Sequence, residues 1–200
     1  MILLALDLLG TFAFAITGAV KAAKKRLDWF GAIALALATG VCGGIMRDAL
    51  LGNHPPVALK EPVYAFVCIF AAALIITAQK KITSRWLFVK IADAIGLGAF
   101  TAIGAIHAEN AGASGVAIVS LAVLTAVGGG MLRDVLAGEI PQVLKSDFYA
   151  TAALIGGLFF WIFGLCFNEF HGVKIAGTIT LTVTLRLYAM HARLKLPKIR

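Results

Sequence analysis

Charge is scarce in this chain. Asp, Glu, Lys and Arg make up 14% of its 200 residues, where a soluble domain carries about 25%. That shortage, with 60% hydrophobic residues and a mean hydropathy of +0.94, argues against a soluble domain, although the length would allow one with a sizeable core. Cysteine is rare too. Cys42, Cys68 and Cys166 lie inside apolar stretches without metal-ligand spacing and read as small packing residues, and the four histidines form no cluster with them. There is no phosphate loop, nucleophile motif or zinc pattern. The glycine runs lack a Walker lysine. No catalytic residue, metal or cofactor is expected, and an enzyme is the weakest class.

The apolar residues that are present come in blocks. A bilayer-spanning helix needs about 20 mostly apolar residues. Seven stretches qualify: Ile2–Val20, Trp29–Met46, Val63–Ala78, Leu87–Ile106, Gly115–Leu132, Phe148–Phe167 and Val173–Met190. The first lacks a basic segment before it and carries Asp7 inside it, so it reads as a retained helix and not a signal peptide.

The net charge of +8 is laid out by topology. Lys21, Lys24, Lys25 and Arg26 follow the first stretch. Lys80, Lys81, Arg85 and Lys90 lie between the third and fourth, Lys145 follows the fifth, and Arg193, Lys195, Lys198 and Arg200 close the chain. All fall on one side if the N-terminus is outside. The opposite loops hold Lys60 and Lys174, while Arg47, Arg133 and Arg186 sit at helix ends or within helices. This is the positive-inside pattern, with the N-terminus outside and the C-terminus cytoplasmic. It leaves no basic face for nucleic acid.

Sliding the sequence by 86 residues aligns it with itself. Asp7, Gly10, Phe14, Gly18 and Ala19 fall on Asp93, Gly96, Phe100, Gly104 and Ala105, and Leu35–Val57 matches Leu121–Val143 at 12 of 23 positions. Apolar helices match by chance at Ala and Leu. They do not share Gly-Gly-x-x-Arg-Asp-x-Leu-x-Gly-x-x-Pro by chance. Three crossings reverse the chain, so the second copy enters inverted. The expected architecture is all-α and polytopic: two inverted three-helix repeats (1–85 and 86–170), then a seventh helix and basic tail (171–200). In such designs the pathway lies near the repeat interface and is formed by interrupted helices.

The candidate site residues follow. Gly43-Gly44 and Gly128-Gly129-Gly130 lie inside otherwise good helices. They serve either close helix packing or a break exposing carbonyls to a water-filled path, and the repetition beside a charge pair favours the break. Arg47-Asp48 and Arg133-Asp134 are costly in hydrocarbon and belong either on a pore or at an interface where Arg snorkels. Asp7 and Asp93 are the matched carboxylates. The spacing puts Asp7 and Arg47 at one depth and Asp93 and Arg133 at the opposite one, so these pairs are expected to meet. Neighbours on a helix point about 100° apart, so Arg47 with Asp48, and Arg133 with Asp134, are not expected to pair head-on. Thr11, Thr17, Thr39, Thr101, Ser120 and Thr125 are polar, but such hydroxyls ordinarily bond the carbonyl one turn back. Gly96, Gly98 and Ala102 form a small-residue face for packing within the protomer or across an oligomer.

The paired Gly43-Gly44-Ile45-Met46-Arg47-Asp48 and Gly128-Gly129-Gly130-Met131-Leu132-Arg133-Asp134 resemble the bacterial branch of the trimeric intracellular cation channel family, whose units are also labelled glycine-transporter-like. The first copy departs at Cys42, where the second has Gly128. The resemblance covers nearly the whole chain. It implies a homotrimer in the bacterial cytoplasmic membrane, contacting lipid, with one pore per protomer lined by kinked second and fifth helices. It also implies permeation of monovalent cations, chiefly potassium. A secondary transporter for a small solute such as glycine is the alternative, since inverted repeats suit both.

Overall fold

The structure, a computed structural model, describes residues 2–82, 86–145, 148–167, 169–192 and 194. Arg85, Arg193, Lys195, Lys198 and Arg200 of the charge pattern lie outside the described residues. The described elements are all helices: α1 (Ile2–Lys24), α2 (Trp29–Leu50), α3 (Val57–Lys60), α4 (Pro62–Ile82), α5 (Trp86–Asn110), α6 (Gly115–Leu136), α7 (Gln142–Lys145), α8 (Ala150–Cys166) and α9 (His171–His191). The seven apolar stretches fall on α1, α2, α4, α5, α6, α8 and α9. Helices α1, α2, α5 and α6 are long and apolar enough to cross a membrane, and α4 and α8 contribute shorter apolar segments, Pro62–Ala78 and Ala150–Cys166.

Local chemistry sets the helix ends. Asp28 caps α2 by accepting from the Gly31 N–H, and Ser114 caps α6 by accepting from the Ala117 N–H. The other ends of these two helices close identically. Gly52 and Gly138 adopt φ of 75° and 69°. Their N–H groups bond the carbonyls of Ala49 and Val135, and the next N–H groups, of Asn53 and Glu139, reach back to Asp48 and Asp134. A left-handed glycine after the last turn does this without a Cβ penalty. The Gly of the shared motif is therefore a helix stop. The short α3 and α7, which follow at corresponding places, were not legible in the apolar pattern.

The two copies meet through reciprocal contacts. A Cβ on Gly10 would lie 3.1 Å from the Phe100 ring, and one on Gly96 would lie 2.5 Å from the Phe14 ring. The two phenylalanines are buried and meet at a centroid distance of 5.3 Å. A Cβ on Gly43 would overlap the Thr125 carbonyl oxygen, and one on Gly129 would overlap the Thr39 carbonyl oxygen. In each case the partners exchange when 86 is added to one and subtracted from the other, which is how a two-fold relation shows itself in contacts. The later residue of one helix meets the earlier residue of the other, so α1 runs antiparallel to α5, and α2 to α6.

One expectation changes here. α2 and α6 continue as single helices through Gly43-Gly44 and Gly128–Gly130. The expected break is absent because a missing Cβ at Gly43 and Gly129 lets two backbones touch, and an intact helix does that best. Of the two uses expected for Gly96, Gly98 and Ala102, packing within the protomer is the one seen. Gly96 sits under Phe14, Gly98 lies against Val183 and Ile179 of α9, and Ala102 is fully buried, so the chain itself covers them.

Candidate functional site: two related charge clusters

The charged part of the repeat motif builds one buried cluster in each copy. In the first, Arg47 Nε donates to Asp48 Oδ1 at 2.8 Å, and Arg47 Nη1 lies 3.8 Å from Asp7 Oδ2. The Tyr64 hydroxyl, from α4, donates to the same Asp7 oxygen at 2.9 Å. In the second, Arg133 Nε donates to Asp134 Oδ1 at 3.0 Å, and Arg133 Nη1 donates to Asp93 Oδ1 at 3.1 Å. Asp7, Arg47, Asp48, Asp93, Arg133 and Asp134 are all buried. Ionised groups withdrawn from water persist when paired and hydrogen-bonded.

The structure thus brings Arg47 toward Asp7 and Arg133 onto Asp93. It also corrects the geometry of the neighbouring residues. Arg47 and Arg133 do bond their adjacent aspartates, side-on through Nε. Although the Cα–Cβ directions diverge, the Arg stem is long enough to curl its Nε over the next side chain while the Nη groups reach across to another helix. The aspartates have a second task. Asp48 Oδ2 accepts from the Val57 N–H at 2.9 Å, and Asp134 Oδ2 accepts from the Gln142 N–H at 2.8 Å. Val57 and Gln142 open α3 and α7, so each carboxylate ties the arginine of a long helix to the first amide of a short one.

The clusters differ in what surrounds them. Arg133 Nη1 also donates to Thr17 Oγ1 of α1 at 2.8 Å. Lys21 Nζ lies 3.3 Å from Asp134 and 2.7 Å from Glu139, and Lys25 lies 2.9 Å from Glu139. Glu139 stands in the turn after α6, and the two ammonium groups hold its carboxyl down at about 2. Tyr149 is buried beneath the Arg186 guanidinium of α9, which lies 4.6 Å from the ring centroid. Beside the first cluster there is a small cavity lined by Asp7, Thr11, Gly40, Gly44, Arg47 and Tyr64, among others.

Several of these residues had no sequence signal strong enough to single them out. Tyr64 and Tyr149 are separated by 85 residues, because the turn after the second copy's motif is one residue shorter, and an ungapped slide of 86 misses them. Lys174 was counted as a loop residue but is buried in α9. Its Nζ meets both Glu109 oxygens at 2.7 Å and lies 4.3 Å from the Phe160 centroid. Thr39, Thr101 and Thr125 bond the carbonyls of Leu35, Leu97 and Leu121 one turn back. Thr17 bonds the Phe14 carbonyl and, in addition, serves Arg133. Gly44 and Gly130 face their arginines, with the added Cβ 3.7 and 3.8 Å from Arg47 and Arg133 Nη2.

The chain matches the family model described as glycine transporter twice, over residues 4–80 and 90–164. It superposes on a solved prokaryotic TRIC channel in 0.5 M KCl with a TM-score of 0.91 at 33% identity, covering 98% of this chain and 99% of that one. The chain belongs to the bacterial TRIC family. Another TRIC structure, the trimeric intracellular cation channel orthologue from Rhodobacter sphaeroides, gives a TM-score of 0.91 at 33% identity over 96% of this chain and 99% of that one. Among curated relatives, the UPF0126 inner membrane protein YadS of Escherichia coli (strain K12) is 38% identical over 197 residues, 96% of this chain and 93% of YadS. A membrane protein of Vibrio cholerae is 35% identical over 193 residues, 96% of this chain and 80% of the relative. This TRIC family protein is a membrane protein with transmembrane helices.

Proposed function

We propose that the protein is a cation channel, chiefly permeable to potassium, acting as a homotrimer with one path through each protomer. The path is lined by α2 and α6, with Gly43, Gly44, Arg47 and Asp48 toward one end and Gly128, Gly129, Gly130, Arg133 and Asp134 toward the other. Asp7 and Asp93 position the two arginines. The observation that carries this reading is the reciprocal antiparallel crossing of α2 and α6, which sets a buried charge cluster on either side of one intimate backbone contact. The likeness to structures described as TRIC cation channels supports it. So does charge: the first cluster sets Asp7 and Asp48 against Arg47 alone, and an acidic surplus favours cations over anions.

The same reading has seven crossings, formed by α1, α2, α4, α5, α6, α8 and α9, in two inverted repeats (1–85 and 86–170) and a final segment (171–200). Its N-terminus is outside and its C-terminus cytoplasmic, in a bacterial inner membrane. Lys21 and Lys25 at the end of α1 reach Glu139 beyond the end of α6. That contact suits the inverted repeats, in which both helix ends share one side. Exposed Phe66, Phe70, Leu87, Ile162 and Leu165 suit lipid or neighbouring subunits.

The glycine-transporter label of the family model keeps one alternative, a carrier for glycine. Planar-bilayer recording of the purified protein, first with potassium and then with glycine, separates the two. Discrete unitary potassium currents support the channel. Saturable glycine uptake into proteoliposomes without unitary currents would replace it with the carrier.

A further inference from the structure

The two charge clusters are built from corresponding residues but are not filled alike. Arg133 Nη1 has two partners, Asp93 at 3.1 Å and Thr17 at 2.8 Å. Arg47 Nη1 is buried and has no hydrogen-bond partner among the described residues. Asp7 Oδ2 is 3.8 Å from it, too far for a direct hydrogen bond. Two differences between the copies account for this. The position corresponding to Thr17 is Ile103, which offers no hydroxyl. The position corresponding to the buried Leu97 is Thr11, a smaller side chain, and it lines the cavity that Arg47, Asp7 and Tyr64 also line.

A buried guanidinium N–H needs an acceptor, because leaving it bare forfeits its hydration with nothing in return. Two polar groups held more than 3.5 Å apart beside a cavity can be joined by a bridging water. The cavity offers about 10 Å³, the room of a single water. An anion is disfavoured by Asp7 and Asp48, and a cation cannot accept the Arg47 hydrogen bond.

We propose that the Asp7–Arg47 site binds one water molecule, which accepts from Arg47 Nη1 and donates to Asp7 Oδ2. The first charge pair is then water-mediated, whereas the Asp93–Arg133 pair is direct. This inference stands apart from whether the protein conducts.

X-ray radiolytic labelling of the full-length protein in ¹⁸O water tests it, because trapped water marks the side chains it touches. Tyr64 bonds Asp7 and is only 3% exposed, so bulk water reaches it poorly. It is expected to take up label in the unsubstituted protein. Thr11→Leu, which copies Leu97, and Ile103→Thr, which copies Thr17, are each expected to lower the Tyr64 rate several-fold. Either variant suffices if the other does not fold. Absence of label on Tyr64 in the unsubstituted protein overturns the proposal, as does Tyr64 labelling that is unchanged in every variant that folds.

Discussion

The Asp134 carboxylate joins Arg133 to Gln142: one oxygen takes Arg133 Nε at 3.0 Å and the other takes the Gln142 amide at 2.8 Å. One side chain thus holds a buried guanidinium and anchors the short α7. Asp134→Ala removes both bonds and leaves Arg133 with Asp93 and Thr17 alone. Breaking a buried pair from one side costs about 3–5 kcal/mol, so the detergent-solubilised protein should melt many degrees lower. Asp134→Asn keeps an acceptor for one of the two donors and should lose less. Equal melting temperatures for Asp134→Ala and the unsubstituted protein would count against this role.

The glycines of the motif should separate by position. Gly43→Ala drives a methyl into the Thr125 carbonyl oxygen, a backbone atom that cannot step aside. Overpacking of this kind costs about 1–3 kcal/mol, and Gly129→Ala should match it through Thr39. Gly44→Ala meets only Arg47 Nη2 at 3.7 Å, an ordinary contact, and should fold as before. Thermal melts of the three variants decide the matter. If Gly44→Ala is the most damaging, the crossing is not where the glycine requirement lies.

The Lys174–Glu109 pair should respond unequally to loss of its two members. Lys174 is 1% exposed at its side chain and Glu109 is 31% exposed. Glu109→Gln strands a buried ammonium, which costs about 3–5 kcal/mol. Lys174→Met replaces that ammonium with an apolar chain of similar length beside Phe160, and leaves behind a carboxylate that water can reach. The melting temperature should therefore fall more for Glu109→Gln than for Lys174→Met. The reverse order would place the buried charge elsewhere.

Glu139 gives a pH signature. Its carboxyl is pulled from an ordinary 4.5 to about 2 by Lys21 and Lys25. The depressed value means that the folded state favours the ionised form. The contribution is fully present above pH 4.5 and disappears as pH falls toward 2. It is small, because the group is exposed and screened. The stability difference between the unsubstituted protein and Glu139→Gln should be constant from pH 7 to 5 and shrink below that. A difference that grows on acidification would contradict the assignment.

Much of the site is legible in the sequence. The repeat offset named Asp7, Arg47, Asp93 and Arg133, and helix rise across a membrane-thick segment set each pair at one depth. Partners contributed by chain segments that break the offset were hidden: Tyr64 and Tyr149 by one shortened turn, and Thr17, Lys21 and Glu139 because their counterparts Ile103, His107 and Asn53 carry no matching charge or hydroxyl. The side-on pairing of Arg47 with Asp48 was missed because angular spacing describes Cα–Cβ directions. The reach of a long, flexible stem is a separate quantity.

By itself, the sequence determined that the chain is helical and membrane-embedded, because apolar segments of this length leave the backbone no other way to satisfy its hydrogen bonds in lipid. It determined the duplication as well, through a motif too specific for chance. Only the tertiary structure decided what the glycines are for. Whether a Gly in a helix bends it or admits a neighbour depends on what lies opposite its missing Cβ, and at Gly43 and Gly129 that is the backbone of the other copy. It also decided that the two clusters are unequal, because a buried donor is satisfied or stranded by whichever side chain another helix happens to bring within about 3 Å.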